Sequence, residues 1–161
     1  IELNQTPGFS VPWQAALYID ALFPKGAKSR ILTILLIDCS MRLQEDVMSK
    51  LVLAGYASAM VQPTETTFNG YSRGCPQDDL NARVVSMVTD PSCEALVVSA
   101  SARQILLRGL PLDSLDIAFI SDRVSSDVQT LLHLYCRQLV TVCETSSDEH
   151  LQALQELIAQ H

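Results

Sequence analysis

The stretch Arg30-Ile-Leu-Thr-Ile-Leu-Leu-Ile-Asp38 decides the fold, because it is an apolar run of strand length that leads directly into a helical pattern ending at Gly55. Such a strand-to-helix turn is where α/β nucleotide-binding domains hold phosphates, using glycine amides and a lysine. Here the turn reads Asp38-Cys39-Ser40-Met41-Arg42, and neither glycine nor lysine occurs between Lys28 and Lys50. The sequence therefore predicts the architecture of a phosphate-binding domain without the groups that bind phosphate.

Strand-like and helical segments alternate along the rest of the chain. Predicted strands cover residues 31–37, 57–62, 95–99, 115–120 and 139–142. Predicted helices cover residues 12–23, 43–54, 80–88, 101–109, 125–136 and 147–160. The later strands are short, apolar and mostly without alternation, which is typical of strands buried on both faces of a parallel sheet. Five β-α units in succession predict an α/β fold with a doubly wound, mostly parallel sheet flanked by helices.

Turn-forming and capping residues separate these elements. Residues 63–79 are polar and rich in turn formers, and we interpret them as a long loop with a short hairpin at Asn69-Gly70. Ser40 is predicted to cap the helix that follows it. Ser146 and Glu149 form a capping-box pattern at the start of the last helix. The apolar stripe of that helix, interpreted as core or as a contact surface, consists of Leu151, Leu154, Leu157 and Ile158.

Composition and charge restrict the class of protein. With 161 residues, of which 48% are hydrophobic, the chain is long enough for one domain with a proper core. Its formal net charge is −7 and its basic residues form no run, so we expect no binding to nucleic acid or to a membrane. The five cysteines are unevenly spaced without a CxxC pair, which favours reduced thiols in a cytoplasmic protein. Because the first residue is Ile1, we interpret the chain as part of a longer protein.

Several motifs carry a family resemblance. The opening Ile1-Glu2-Leu3-Asn4-Gln5-Thr6-Pro7-Gly8 resembles the end of an ATP-grasp domain, whose last metal-binding strand carries Glu-x-Asn before a Pro-Gly turn. The segments Ala95–Leu110 and Asp116–Ser121 resemble the central domain of Mur ligases in the form found in cyanophycin synthetases. In that family a linker similar to Leu22–Arg30 joins the two domains in the same order.

The resemblance implies a domain organisation and a fold. Residues 1–29 would be the tail of an ATP-grasp domain with its linker, and residues 30–161 a degenerate Mur-ligase-like α/β domain. The fold would then be that of the P-loop-containing Mur ligase central domain. The parent protein would be an ATP-dependent ligase that forms an amide from a carboxylate and an amine.

Three departures from the family pattern fall on catalytic positions. Where the family has a Gly-Thr-Asn-Gly-Lys-Thr loop that holds ATP, this chain has Ile37-Asp-Cys-Ser-Met-Arg42. The family's magnesium-binding glutamate falls at about Ser99, and its Asp-His pair falls in Asp122–Asp127, which contains no histidine. Since phosphoryl transfer depends on positioning and charge neutralisation, these losses predict a ligase fold without catalysis.

Four residues remain as candidates for ligand contacts. Ser40 and Arg42 occupy the degenerate phosphate loop, where Arg42 could contact a phosphate or could simply be solvated. The resemblance implies that Glu2 and Asn4 bind Mg²⁺, but only within an intact ATP-grasp domain. No cofactor is expected for the fragment itself, whereas ATP and Mg²⁺ are expected for the parent's ATP-grasp domain.

Other polar residues are interpreted as non-catalytic. Arg103 and Arg108 resemble arginines of the family's Ala-Arg-Gly-Gly motif, although two glycines of that motif are replaced by Arg103 and Gln104. We interpret both arginines as surface residues. His133 lies in a leucine-rich helix without a partner at catalytic spacing, and no catalytic residue is predicted.

Three functional hypotheses follow. The first is a non-catalytic pseudo-ligase module of a cyanophycin-synthetase-like ligase, which stabilises or orients the parent's own ATP-grasp domain or mediates homo-oligomerisation. The second is an active ligase domain that still binds ATP through its altered loop. The third is a sensor whose vacated cleft, at the carboxyl ends of the strands, binds a different small molecule.

Overall fold

A computed structural model describes residues 31–74, 79–143 and 147–160, with side chains in the last helix described from residue 151. The chain divides into two units, Ile1–Arg30 and Ile31–His161. The first unit lies outside the described residues, and so do the predicted helix 12–23, the predicted ATP-grasp tail with Glu2 and Asn4, and the Ser146 capping box. These remain predictions.

Strands and helices alternate as the sequence pattern indicates. The strands are β1 (Leu32–Ile37), β2 (Ser58–Val61), β3 (Thr66–Phe68), β4 (Tyr71–Arg73), β5 (Ala95–Ala100), β6 (Leu115–Ser121) and β7 (Cys136–Val142). The helices in the described part of the chain are α1 (Met41–Leu53), α2 (Leu80–Val88), α3 (Ala102–Arg108), α4 (Ser126–Tyr135) and α5 (Ser147–Gln160). None of them is both long and apolar enough to cross a lipid bilayer.

The seven strands form one sheet in the order β4-β3-β2-β5-β1-β6-β7. The five strands from β2 to β7 in this order are parallel, and β3 and β4 extend the sheet as antiparallel strands. The predicted α/β fold with a mostly parallel, helix-flanked sheet is therefore confirmed. From β1 the chain first builds the β2 side of the sheet and then crosses to β6. The carboxyl ends of β5, β1 and β6 consequently meet at the topological switch point, where open α/β sheets bind ligands.

Two hydrophobic clusters, one on each face of the sheet, form the core. All six residues of β1 are buried, and alternate residues point to opposite faces. Leu35 and Ile37 belong to the cluster that contains residues of α2, α3 and α4. Ile34 and Leu36 belong to the other cluster, with residues of α1 and α5. Within α5 the apolar stripe packs in this second cluster, and Leu154 is fully buried. The stripe is therefore part of the core.

Two segments differ from or refine the sequence prediction. The hairpin at Asn69-Gly70 is confirmed: β3 and β4 pair across it, and the φ angles of +50° and +80° fit a type I′ turn. The last strand was predicted to begin at residue 139, which is wrong, because β7 begins at Cys136 directly after α4. Arg137 and Gln138 are polar and exposed on this edge strand. Hydrophobic periodicity therefore does not identify them as part of a strand, although the segment pairs with β6.

Candidate functional site

The turn after β1 is the candidate site that the sequence singles out. Since β1 ends at Ile37 and α1 begins at Met41, only three residues connect them. Asp38 has a φ of +51°, a left-handed conformation that aspartate tolerates better than most residues. Its amide donates a hydrogen bond of 3.2 Å to the carbonyl of Ala100 at the end of β5. The turn is therefore short and tied to the neighbouring strand.

The carboxylate of Asp38 reaches the start of the neighbouring helix. Its Oδ2 atom accepts a hydrogen bond of 3.1 Å from the amide of Ala102, the first residue of α3. Amides in the first turn of a helix lack partners within the helix and favour negative charge. The carboxylate of Asp38 thus places a negatively charged group of the protein itself at the switch point.

Cys39 is held inside the turn as a protonated thiol. Its Sγ atom lies 3.5 Å from the carbonyl oxygen of Ile37 and 3.4 Å from that of Phe119. Burial raises the pKa of the thiol to about 11, the nearby charge of Asp38 adds to that rise, and the hydrogen bond to Ile37 opposes it. Because the thiolate is the nucleophilic form, Cys39 is unsuited to covalent chemistry at neutral pH.

Ser40 and Arg42, the two predicted phosphate contacts, take different positions. The hydroxyl of Ser40 accepts a hydrogen bond of 3.3 Å from the amide of Leu43, which confirms the predicted cap of α1. Arg42 is exposed in the first turn of α1. The geometry thus assigns Ser40 to the helix cap and leaves the guanidinium of Arg42 facing solvent.

Gln44 lies in α1 and contacts the turn, and sequence reasoning missed it. It is 8% exposed, and its Nε2 atom donates a hydrogen bond of 3.2 Å to the carbonyl of Cys39. Its Oε1 atom accepts a hydrogen bond of 2.9 Å from Gln62, which follows β2. The signal that could have identified Gln44 is its position next to Leu43, on the side of α1 that carries the apolar residues. Through these two hydrogen bonds Gln44 holds the backbone of the turn at Cys39 and connects it to the segment that follows β2.

Two further positions, Ser99 and Asp122, are those that the sequence resemblance compares with catalytic residues of the family. Ser99 is half-buried within β5, where it pairs with Leu36, and Asp122 is exposed just after β6. Among residues 31–74, 79–143 and 147–160, no group of three or more His, Cys, Asp or Glu side chains could hold a metal ion. Glu2 and Asn4 lie outside these ranges.

Comparison with known proteins adds no family assignment: no protein-family model and no curated protein sequence matches this chain.

Proposed function

We propose that the chain is a non-catalytic pseudo-ligase module of a cyanophycin-synthetase-like ATP-grasp ligase, with a degenerate Mur-ligase-like domain in a structural role. The observation that carries this proposal is the three-residue turn between β1 and α1, which is closed by its own side chains. The motif order at residues 1–8, 22–30 and 95–121 supports the parent class. The expected partner is the parent's own ATP-grasp domain.

The hydrogen bonds of the turn oppose triphosphate binding. A phosphate cradle needs several backbone amides that converge on the anion, together with a cation. Here the amide of Asp38 is bonded to Ala100, the amide of Ala102 to Asp38, and the amide of Leu43 to Ser40. A phosphate would have to displace these acceptors without gaining a lysine in return.

The charge of Asp38 adds a second obstacle. Two like unit charges about 4 Å apart repel by about 4 kcal/mol at the effective dielectric constant of a protein surface. A triphosphate seated at the start of α3 would meet this carboxylate directly, because Asp38 already occupies the amide of Ala102. Mg²⁺ would have to offset the repulsion, and residues 31–74, 79–143 and 147–160 hold no group of three or more His, Cys, Asp or Glu side chains that could bind it.

One observation favours the alternative, an ATP-dependent ligase domain that binds ATP through the altered turn. Arg42 is exposed at the carboxyl edge of the sheet and forms no ion pair with any described residue, so its guanidinium is available to a phosphate. This alternative requires the hydrogen bonds that Asp38 and Ser40 accept from the amides of Ala102 and Leu43 to break when the nucleotide binds.

Calorimetric titration of the full chain with ATP, with and without Mg²⁺, separates the two functions. The pseudo-ligase proposal predicts no saturable heat below millimolar nucleotide. Micromolar affinity that is weakened at least tenfold by both Ser40→Ala and Arg42→Gln would overturn it. Lys50→Gln is the matched control, because it removes a single positive charge from the last turn of the same helix, away from the turn that Ser40 and Arg42 belong to.

A further inference from the structure

A cleft lies beside α3, near the segment that follows β2. It has a volume of about 290 Å³ and is lined by Pro63, Leu80, Arg103, Gln104, Leu107 and Arg108. We call it the α3 cleft. Pro63 follows β2, Leu80 begins α2, and the other four residues belong to α3. The volume is at the lower end of the range for small-molecule sites.

The polar groups of the α3 cleft are mainly hydrogen-bond donors. Arg103 forms no ion pair or hydrogen bond with any described residue, so all its guanidinium donors are open. The Oε1 atom of Gln104 accepts a hydrogen bond of 2.9 Å from the amide of Ser101, which orients the side chain and leaves its NH₂ group as the free end. A ligand rich in acceptor oxygens fits these donors.

The described side chains around the cleft carry a net positive charge. Arg108 pairs with Asp79 at 2.7 Å, but both side chains are more than half exposed, so this pair is weak and can reorganise. Arg83, which is 3% exposed, donates one hydrogen bond to the carbonyl of Pro63, and its Nε atom has no partner among the residues that the structure describes. Arg103 and Arg108 thus line this cleft, with Asp79 as the paired carboxylate, on a chain whose formal net charge is −7.

The buried guanidinium of Arg83 strengthens the case for a negatively charged ligand. A buried cation costs several kcal/mol unless charge or hydrogen bonds compensate for it. The carbonyl of Pro63, its acceptor, is neutral, and Pro63 itself lines the cleft. Arg83 therefore adds a positive charge next to Pro63, one of the residues that line the cleft, while the exposed guanidinium of Arg103 lines the cleft itself.

Apolar side chains form the remaining walls. Leu80 is 5% exposed and Leu107 is 72% exposed, so the apolar lining of the cleft combines a buried leucine with a leucine that faces solvent. Covering Leu107 with an apolar group would remove that side chain from water, which contributes roughly 25 cal/mol per Å². The best-matched ligand combines an anionic head with a short apolar part.

We propose that the α3 cleft binds a small amphipathic anion, a carboxylate or phosphate monoester with a short apolar chain, held by Arg103 and Gln104. The guanidinium fork of arginine accommodates either oxyanion in a bidentate manner. This site differs from the β1–α1 turn and does not need the turn to bind nucleotide. It gives the non-catalytic domain a capacity to respond to a small molecule.

Amide NMR titration of the full chain tests the site with defined probes. Hexanoate and hexyl phosphate represent the two anion classes, hexanamide is the neutral match, and inorganic phosphate lacks the apolar chain. At least one of the two amphipathic anions should cause saturable shifts at the amides of residues 80, 103, 104, 107 and 108, with Kd values of about millimolar for ligands of this size. Which of them binds more tightly identifies the class of anion.

Matched arginine variants locate the binding. Arg103→Gln should weaken the tighter anion at least tenfold, whereas Arg42→Gln, which removes the same charge from an exposed position on α1, should change its Kd less than twofold. The proposal is wrong if neither anion saturates, if hexanamide or inorganic phosphate binds as tightly, or if the two variants weaken binding equally. Shifts centred on residues 38–43 would instead indicate binding at the β1–α1 turn.

Discussion

Asp38 determines what the turn after β1 can do. Its φ of +51° would suit glycine, yet its side chain is needed to accept the hydrogen bond from Ala102. A glycine at this position would bring a bare backbone close to a ligand, as phosphate loops require, whereas aspartate fills that space with a carboxylate. The side chain of Asp38 therefore favours a structural turn over a phosphate-binding one.

Substitutions of Asp38 should reveal both of its roles. Asp38→Ala should lower the free energy of unfolding by about 2 kcal/mol, because alanine loses the hydrogen bond to Ala102 and resists the left-handed conformation. Asp38→Asn should cost less than about 1 kcal/mol, since asparagine tolerates this conformation and keeps an acceptor oxygen. Urea unfolding followed by circular dichroism measures the difference. Equal losses for the two variants would contradict this account of the turn.

Sequence reasoning could identify the residues of this turn but not all their partners. The capping role of Ser40 depends on Leu43, three positions away, and was therefore predictable. The bond between Asp38 and Ala102 joins residues 64 positions apart. No local pattern predicts it, because it exists only once β1 and β5 lie side by side.

At the scale of elements, two helices begin with serine in the same backbone conformation but with different hydrogen bonding. Ser40 and Ser125 both have φ −63° and ψ 152° at the N-cap positions of α1 and α4. The side chain of Ser40 accepts a hydrogen bond from Leu43, whereas Ser125 makes no side-chain cap bond. The pair provides an internal comparison for the energy of a cap.

Ser40→Ala should lower the free energy of unfolding by about 1 kcal/mol, because the amide of Leu43 loses its acceptor. Ser125→Ala serves as the matched control and should cost less than about 0.5 kcal/mol, as expected for a surface change that breaks no cap bond. Thermal and urea unfolding of both variants measure the difference. A larger loss for Ser125→Ala than for Ser40→Ala would show that the cap of α1 contributes little.

The predictability of each element follows from how it is buried. The central strands β1, β5 and β6 are buried on both faces, and their continuous apolar runs predicted them correctly. The edge strand β7 mixes exposed and partly buried residues, so its beginning at Cys136 left no apolar signal. The type I′ turn at Asn69-Gly70 was predictable because only a few residue types accept positive φ at both positions.

At the scale of the whole molecule, the second unit accounts for both hydrophobic clusters. The described members of the two clusters lie between Ile31 and Ile158 and cover both faces of the sheet. A unit that contains its own core is expected to fold by itself.

Deleting residues 1–30 should therefore leave residues 31–161 with a cooperative unfolding transition. Its free energy of unfolding should stay within about 1 kcal/mol of that of the full chain, the size of an ordinary surface change. Leu154→Ala in the full chain should cost about 2–5 kcal/mol, because Leu154 is fully buried between α5 and the sheet. If the deletion destabilises the protein more than Leu154→Ala does, the boundary at residue 30 is not a domain boundary.

The sequence by itself determined the alternating elements, the apolar strands of the core, the cap at Ser40 and the absence of glycine and lysine from the turn after β1. These features are local, because periodicity, capping and turn preference act over a few residues. The tertiary structure alone decided the strand order, the bond between Asp38 and Ala102, and the α3 cleft, which gathers Pro63, Leu80 and Arg103 from three separate segments. A strand buried on both faces has the same apolar pattern whichever neighbours it pairs with, so only the packed sheet could place these residues together.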